Sequence, residues 1–319
     1  MDRQVPVFVA GADTLIGAAI ITTLRRDGYD VLDGAGELDL RDPASVRRFF
    51  QQHKPARVVV AAGRAAGIRG NQRYPAELMY DNLLIATHVV HEAWAAGARR
   101  LMYLASSCSY PKLAPQPMPV ESLLTGPPEP TNRSYAVAKI AAIQLCEAYR
   151  QQYGVDYFAA IPADAFGPGD DFTAEDSHVV AGLMRRMHDA KLAGAPAIDI
   201  WGTGNQRREF IYVDDLASAA AFVLARHTGG SINLGGGRDT SIRELAERIR
   251  DVVGFAGELR FDTSKPDGMP FKALDGSALL GLGWRPAVPF DEALERTYQW
   301  FVQHEPLGAP GAAATPFTR

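Results

Sequence analysis

Residues 5–17 read Val-Pro-Val-Phe-Val-Ala-Gly-Ala-Asp-Thr-Leu-Ile-Gly, and this stretch predicts a buried β-strand that turns directly into an α-helix. Its apolar start is typical of a parallel strand covered on both faces. Gly11 and Gly17 allow a tight turn that brings the helix N-terminus close to a pyrophosphate, although Thr14 replaces the usual middle glycine. Because a plain strand-to-helix turn also uses glycine, a simple structural turn stays an alternative. The candidate cofactor contacts here are Gly11, Asp13, Thr14, Leu15, Ile16 and Gly17.

Short apolar runs and longer amphipathic stretches alternate up to residue 161. Further strands are expected at residues 31–32, 57–62, 100–105 and 155–161. Helices are expected at residues 15–27, 43–52, 75–96 and 134–153. This alternation, with right-handed crossovers, predicts an α/β fold with a doubly wound parallel sheet of the Rossmann type.

The regular alternation breaks down after Pro162, where proline, glycine and isolated polar residues become more frequent. We therefore predict a dinucleotide-binding domain made of residues 1–162 plus 205–235. A smaller α/β substrate-binding lobe is expected from residues 163–204 plus 236–304. The Pro/Ala/Gly-rich tail, residues 305–319, is expected to be disordered.

Composition excludes several classes of protein. The chain has 319 residues, a net charge of −4 and scattered Lys and Arg, which argues against a nucleic-acid or polybasic membrane surface. Two cysteines cannot build a disulfide framework, and the histidines form no metal-ligand pattern, so we expect no metal. The N-terminus fits no signal peptide and no apolar run reaches about 18 residues, which predicts a cytoplasmic, soluble protein.

A carboxylate follows the second expected strand. Asp33 could accept hydrogen bonds from ribose hydroxyls and would repel a 2′-phosphate, which favours NAD(H) over NADP(H). Its alternative is a solvated turn aspartate before Gly34. Asp39 could contact the adenine instead.

The strongest chemical signal is the segment Tyr135-Ala136-Val137-Ala138-Lys139. Its i, i+4 spacing places Tyr135 and Lys139 on one helix face, where an ammonium would lower the pKa of the phenol. Ser106, just after the fourth expected strand, could hydrogen-bond the same reacting oxygen. The three residues predict a hydride-transfer site with a carbonyl held by Ser106 and Tyr135 and a ribose held by Lys139. A surface Tyr–Lys pair is the alternative.

Longer blocks carry a family resemblance. They are residues 106–114 (SSCSYPKLA), 129–132 (EPTN), 134–140 (SYAVAKI), 177–179 (SHV), 201–204 (WGTG), 208–210 (REF), 264–268 (SKPDG) and 297–301 (TYQWF). Over residues 5–302 the chain resembles the extended short-chain dehydrogenase/reductase (SDR) superfamily and, within it, the GDP-L-fucose synthase family. The resemblance implies NADP(H) and a bifunctional 3,5-epimerase and 4-reductase acting on GDP-4-keto-6-deoxy-D-mannose to give GDP-L-fucose.

The resemblance also implies two proton-transfer residues. Epimerisation at C3 and C5 removes protons that the C4 ketone makes acidic and returns them on the other face. Cys108 and His178 match the base and acid of the family, and Cys108 would act as a thiolate. From the sequence alone, Cys108 could be a small core residue and His178 a structural histidine.

Further contacts follow from the same resemblance. Implied substrate contacts are Ser107, Asp164, Arg186, Trp201, Arg208, Asp267 and Lys272. Implied cofactor contacts beyond the glycine turn are Asp33, Asp39, Ala62, Tyr135, Lys139, Pro162 and Ala163. The family also implies a homodimer in which helices 75–96 and 134–153 of two copies form a four-helix bundle.

Three departures from the family pattern leave alternatives open. Asp13 and Asp33 stand where basic residues meet the 2′-phosphate of NADPH, so NAD(H) is plausible. Asp164 replaces an asparagine near the sugar, and Phe271 replaces an arginine. The rival interpretations are an SDR enzyme for another GDP-keto-sugar, hexose or heptose, or one that performs part of the reaction. A non-catalytic dinucleotide-binding module is remote, because such a role needs no proton donor such as Tyr135.

Overall fold

The computed structural model describes residues 5–34, 38–173, 177–265 and 267–304. Its strands are β1 (Val7–Ala10), β2 (Val31–Leu32), β3 (Arg57–Val60), β4 (Arg100–Leu104), β5 (Asp156–Pro162), β6 (Asp164–Phe166), β7 (Ala197–Trp201), β8 (Arg207–Tyr212), β9 (Ile232–Leu234), β10 (Asp239–Ser241), β11 (Glu258–Asp262) and β12 (Phe271–Lys272). Its helices are α1 (Leu15–Arg26), α2 (Pro43–His53), α3 (Ile68–Arg73), α4 (Pro75–Ala95), α5 (Arg133–Tyr153), α6 (Val179–Leu192), α7 (Val213–Arg226), α8 (Ile242–Val253), α9 (Ser277–Gly281) and α10 (Phe290–His304).

The main sheet confirms the predicted doubly wound fold. Its six strands run in the order β2-β1-β3-β4-β5-β9, and all neighbours are parallel. The strand order reverses between β1 and β3, and in such sheets the crevice beyond the carboxyl ends of the strands at that point receives ligands. Every side chain of β1 is at most 1% exposed, as expected for a parallel strand covered on both faces.

Local sequence signals account for the helices around this sheet. Asp42 caps α2 by accepting hydrogen bonds from the backbone N–H groups of Ala44 (3.0 Å) and Ser45 (3.1 Å). Gly154 ends α5 in the left-handed conformation that favours glycine. The four helices with predicted bounds, α1, α2, α4 and α5, begin and end within one residue of those bounds.

The carboxyl-terminal half contributes two smaller sheets. Strand β8 lies at the centre of one, parallel to β6 and β12 and antiparallel to β10, while β7 and β11 form a parallel pair. A second apolar core, which includes Phe172, Met184 and Phe301, packs among α6, α8 and α10. The sequence predicts β8 as part of the dinucleotide-binding domain; its strand partners β6, β10 and β12 come from the stretches predicted as the substrate-binding lobe, whereas β9 completes the main sheet. The two-domain division itself stays a prediction.

Two further expectations concern the carboxyl-terminal tail and membrane-spanning helices. The tail, residues 305–319, lies outside the described residues. Among the helices of the described ranges, none is long and apolar enough to cross a membrane.

Candidate functional site

The turn after β1 forms a cradle that side chains would fill. Gly11 has φ +98°, and a Cβ there would lie 2.5 Å from the backbone nitrogen of Ala62. A Cβ on Gly17 would lie 1.9 Å from the carbonyl oxygen of Gly11. Thr14 caps α1, since its Oγ1 accepts from the Gly17 N–H (3.0 Å) and donates to the Gly11 carbonyl (2.9 Å). The threonine therefore closes the turn with its own side chain, and the cradle at the N-terminus of α1 fits a pyrophosphate.

The other residues of this turn differ in exposure. Asp13 is exposed, and Leu15 and Ile16 are half-buried. Ala62, which follows β3, and Pro162 and Ala163 at the end of β5 are buried. These positions lie after the carboxyl ends of β1, β3 and β5, the edge of the sheet at which a dinucleotide is expected.

The carboxylates after β2 are engaged by neighbouring arginines. Arg25 donates from Nη2 to Oδ2 of Asp33 (2.8 Å). The backbone N–H of Arg41 donates to Oδ1 of Asp39 (2.9 Å) and, with the Arg41 guanidinium, lowers the pKa of that carboxyl. Asp39 thus turns toward its own loop, while Asp33 presents a charge balanced by Arg25.

Ser106, Tyr135 and Lys139 come together between β4 and α5. Tyr135 and Ser106 share a side-chain hydrogen bond, and the Lys139 Nζ lies 5.8 Å from the centroid of the Tyr135 ring. Nζ also donates to the Leu104 carbonyl (3.2 Å). The structure therefore assembles the three residues that the sequence singled out.

The pKa argument made from the sequence is wrong in direction for this arrangement. Burial raises the pKa of Tyr135 above its ordinary value and outweighs the opposing hydrogen bond from Ser106. Burial also lowers the pKa of Lys139 to about 8, because the side chain is only 5% exposed. Desolvation is the largest influence on the pKa of both side chains, and the spacing of residues on a helix does not reveal it. Tyr135 is consequently kept protonated, as a proton donor must be.

Cys108 lies in a tight 3₁₀ turn, residues 107–109, directly after β4. Ser106 caps this turn by accepting a hydrogen bond from the Cys108 backbone N–H (3.2 Å). The side chain of Asn132 approaches from the start of α5, and its Nδ2 lies 3.1 Å from the Cys108 Sγ. By contrast, Cys146 is 1% exposed, and burial raises the pKa of its thiol to about 12. Cys146 therefore packs in the core, as expected.

His178 immediately precedes α6 and has a side chain that is 55% exposed. Its Nδ1 lies 3.6 Å from Oδ1 of Asp170, whose side chain is 4% exposed. Interaction with Asp170, and more weakly with Asp164, raises the pKa of His178 against the effects of partial desolvation and of Lys272. The imidazole is therefore biased toward its protonated, acidic form.

Asp164 joins the two halves of the site. Its Oδ1 accepts from Lys272 Nζ (2.8 Å) and from the Ser107 hydroxyl (3.3 Å). Burial opposes the charge on both members of the pair, yet their attraction lowers the pKa of Asp164 and raises that of Lys272. The aspartate that replaces the family's asparagine is thus an anion compensated by a neighbouring ammonium.

Two further predicted substrate contacts, Trp201 and Arg186, lie at the surface of the protein. Trp201 is 48% exposed, and its ring lies beneath the guanidinium of Arg69, 4.9 Å from the ring centroid. Arg186 donates to the Asp199 carbonyl. Trp201 and Arg186 therefore keep polar or aromatic surface near solvent, and Arg69 is a neighbour that the sequence analysis missed because its segment carries no motif.

Two more of the predicted substrate contacts, Asp267 and Arg208, are held by segments that are distant from them in the chain. Asp267 accepts from the Thr203 N–H (2.6 Å) and the Thr203 hydroxyl (2.9 Å). Arg208 donates to the Met269 carbonyl (2.7 Å), and Phe271 pairs in register with Arg207 on β8. Both Asp267 oxygens thus accept hydrogen bonds from Thr203, in the turn after Trp201. The sequence could not reveal this contact, because the two residues are far apart in the chain.

A parallel sheet whose first strand ends in a tight glycine turn, together with a Tyr–Lys pair beside a serine, is typical of a dinucleotide-dependent dehydrogenase or epimerase. The chain belongs to the NAD dependent epimerase/dehydratase family, whose model matches residues 7–235. It is similar to GDP-L-fucose synthase 1 of Arabidopsis thaliana, with 47% identity and coverage of 95% of both chains. It is also similar to the GDP-L-fucose synthase of Escherichia coli, with 42% identity and coverage of 94% of this chain and 97% of the relative.

A solved structure gives the same picture of the fold. The GDP-L-fucose synthetase from Naegleria fowleri bound to NADP superposes with a TM-score of 0.87 at 26% identity, covering 95% of this chain and 94% of the other. Together with the sequence relatives, this confirms the resemblance drawn from the motif blocks.

Proposed function

We propose that the protein is a GDP-4-keto-6-deoxy-D-mannose 3,5-epimerase and NAD(P)H-dependent 4-reductase that forms GDP-L-fucose. The observation that carries the proposal is the convergence of two sets of residues. Cys108 and Tyr135 are close enough for their charges to interact, and Asp164 interacts electrostatically with both Tyr135 and His178. A proton-transfer pair and a carbonyl-reducing set therefore lie within electrostatic range of one another, as a bifunctional enzyme requires.

The protein's part in reduction is to hold and protonate the C4 oxygen. Ser106 donates a hydrogen bond to that oxygen, and Tyr135, kept protonated by burial, supplies the proton that converts it to a hydroxyl. Gly11, Thr14 and Gly17 would hold the pyrophosphate of the dinucleotide, and Lys139 its ribose. When bound, the reduced nicotinamide supplies the hydride.

The protein's part in epimerisation uses the opposite sides of the sugar ring. The Cys108 thiolate takes the proton from a carbon next to the C4 ketone, and the electron pair of that C–H bond moves onto the ketone oxygen as an enolate. Ser106 and Tyr135 hydrogen-bond the enolate. His178 then delivers a proton to the other face of the carbon. Cys108 loses its proton to solvent and His178 takes one up from solvent, which restores both groups before the same steps occur at the second carbon.

The function is tested with purified protein, GDP-4-keto-6-deoxy-D-mannose and either NADH or NADPH, followed by NMR of the product. GDP-L-fucose supports the proposal. A reduced product with unchanged C3 and C5 favours an enzyme that performs only part of the reaction. Turnover of a different GDP-keto-sugar alone favours the rival substrate, and dinucleotide binding without any turnover favours the non-catalytic module.

We expect NADH to be used more efficiently than NADPH, although the family pattern favours NADP(H). Asp13 is exposed at the glycine turn, and Asp33 follows β2, where Arg25 pairs with it. Repulsion between a 2′-phosphate and a nearby carboxylate in a solvated site costs about 1 kcal/mol. We therefore expect Asp33→Asn to raise kcat/KM for NADPH by about fivefold, measured by dinucleotide oxidation.

The matched control for this variant is Asp27→Asn, which removes the same charge at the end of α1, where Asp27 contacts Arg26. It is expected to leave the NADH/NADPH ratio unchanged. A wild-type protein that already prefers NADPH would contradict the assignment of Asp33, whatever the product.

We expect the protonation of His178, the proposed acid, to depend on Asp170. Because Asp170 raises the pKa of His178, the imidazolium persists to higher pH, and its loss sets the alkaline limb of exchange at C3 and C5. Asp170→Asn removes this charge, so the alkaline limb should move to lower pH. Deuterium incorporation from D₂O, followed by NMR across a pH series, measures the shift.

Asp189→Asn is the control for Asp170→Asn. Asp189 lies on α6, the helix that follows His178, and pairs with Arg185 rather than with the histidine. An alkaline limb that stays in place in Asp170→Asn would show that Asp170 does not set the protonation of His178.

We further propose a homodimer built on α4 and α5. The two helices pack side by side, and they leave apolar side chains in solvent, among them Tyr80 (63% exposed) and Val137 (37% exposed). A second copy of the same pair would cover these side chains in a four-helix bundle. Sedimentation equilibrium of the 34.5 kDa chain measures the mass in solution, and a monomer mass would contradict the proposal.

A further inference from the structure

Asn132 holds a position whose usual role it does not perform. It is the N-cap residue of α5, the helix that carries Tyr135 and Lys139, and asparagine is among the best N-cap residues. Its side chain makes no cap hydrogen bond to the first turn of that helix. The side chain therefore serves another contact at the cost of a helix cap.

That contact is with Cys108. The Asn132 Nδ2 donates to Sγ across 3.1 Å. The other end of the amide, Oδ1, is buried and has no hydrogen-bond donor among the described residues. A buried acceptor without a donor costs stability, as does a lost helix cap. Asn132 gives up both kinds of stabilisation, and the contact that it keeps is the one with the thiol.

We propose that Asn132 is a positioning residue for Cys108: its amide N–H donates to Sγ, stabilises the thiolate relative to the thiol and aims the sulfur into the site. The proposal rests on the proposed function only in taking Cys108 as the base that removes protons at C3 and C5. A hydrogen bond donated to the charged form of a group favours that form. Asn132 would therefore make the sulfur a better acceptor of the C–H proton.

Other groups that face Cys108 act over longer range or are already engaged. Lys272 and Arg208 are cations whose charges interact with the thiolate, and Tyr135 interacts with it from α5. Lys272, however, is hydrogen-bonded to Asp164 (2.8 Å), and Arg208 to Met269 (2.7 Å). Asn132, by contrast, donates a hydrogen bond directly to the sulfur. Replacing Asn132 therefore removes that hydrogen bond and leaves the charges of Lys272 and Arg208 in place.

The test is the pH dependence of Cys108 alkylation by iodoacetamide, followed by mass spectrometry of the peptide that contains Cys108. This measures the thiolate without requiring substrate or turnover. In Asn132→Ala the midpoint of alkylation is expected to rise by about one pH unit, which means about tenfold less thiolate at a given pH below the midpoint. Exchange at C3 and C5 should fall by a similar factor.

Asn132→Asp is the second variant, and it keeps the protein foldable. Aspartate has the same shape and is an equally good N-cap residue, but as a carboxylate it cannot donate to the sulfur. Its midpoint is expected to rise at least as far as that of Asn132→Ala. Thr131→Ala, in the same turn but without a contact to Sγ, is the control and should alkylate like the wild type.

The outcomes separate this inference from the proposed function. Unchanged alkylation midpoints in both Asn132 variants would overturn the role of Asn132, even if GDP-L-fucose is formed. Raised midpoints support that role, and they do so even if the wild-type protein shows no exchange at C3 and C5, a result that would count against the proposed function alone.

Discussion

Replacing Tyr135 with phenylalanine is expected to slow reduction at C4 by about a thousandfold, the usual contribution of a positioned proton donor. The variant keeps the aromatic ring and its packing but removes the hydroxyl that protonates the C4 oxygen. Proton exchange at C3 and C5 should continue, because Cys108 and His178 are untouched and Ser106 still hydrogen-bonds the ketone oxygen. Dinucleotide oxidation measures the first step, and deuterium incorporation from D₂O measures the second.

Tyr103→Phe is a closely matched control for this experiment. Tyr103 lies on β4 and is 1% exposed, and its ring centroid lies 4.9 Å from the Lys139 Nζ. The control therefore removes a phenolic hydroxyl from another buried tyrosine close to the site. It is expected to retain both activities. Loss of exchange together with reduction in Tyr135→Phe would contradict the assignment of the two steps to separate residues.

The main sheet could be predicted because its signals are local. Parallel strands buried on both faces appear as apolar runs, as in β1 and β3, and their spacing by amphipathic helices indicates right-handed crossovers. The smaller sheets could not be predicted in this way. Strand β12 has two residues and β6 has three, too few to show any periodicity, and both depend on β8, which is distant from them in the chain.

In the candidate site, too, the features that could be predicted are local in the sequence. The Tyr135–Lys139 spacing and the glycine turn are local, and the structure brings these groups to the expected edge of the sheet. The partners of the reacting groups are not local: Arg25 on Asp33, Thr203 on Asp267 and Asp170 beside His178 are tertiary contacts. The burial of Tyr135, which reverses its expected pKa shift, is likewise a property of the packed structure.

Asp164 shows how a departure in sequence can be balanced in three dimensions. An aspartate in place of asparagine adds a negative charge beside groups that must develop negative charge themselves. Lys272 compensates it at 2.8 Å, and the carboxylate in turn helps to hold His178 in its protonated form. The replacement of asparagine by aspartate therefore need not abolish the chemistry. It changes the distribution of charge where we propose that the sugar binds.

Replacing Cys108 with serine is the second change with a large expected effect. A serine hydroxyl is not appreciably ionised at neutral pH, so the variant lacks the anion that accepts the C–H proton. Deuterium incorporation at C3 and C5 should fall by about a thousandfold. Tyr135, Ser106 and Lys139 remain, so reduction of the unepimerised ketone is expected to continue and to give a GDP-6-deoxyhexose with its original configuration at C3 and C5.

Cys146→Ser makes the same atomic change on α5, at a thiol that is 1% exposed and far less able to ionise. It is expected to lower stability, because it buries a hydroxyl among apolar groups, and to leave exchange unchanged. If Cys108→Ser incorporated deuterium at the wild-type rate, another group would have to be the base. The assignment of the base in 3,5-epimerisation to Cys108 would then be lost.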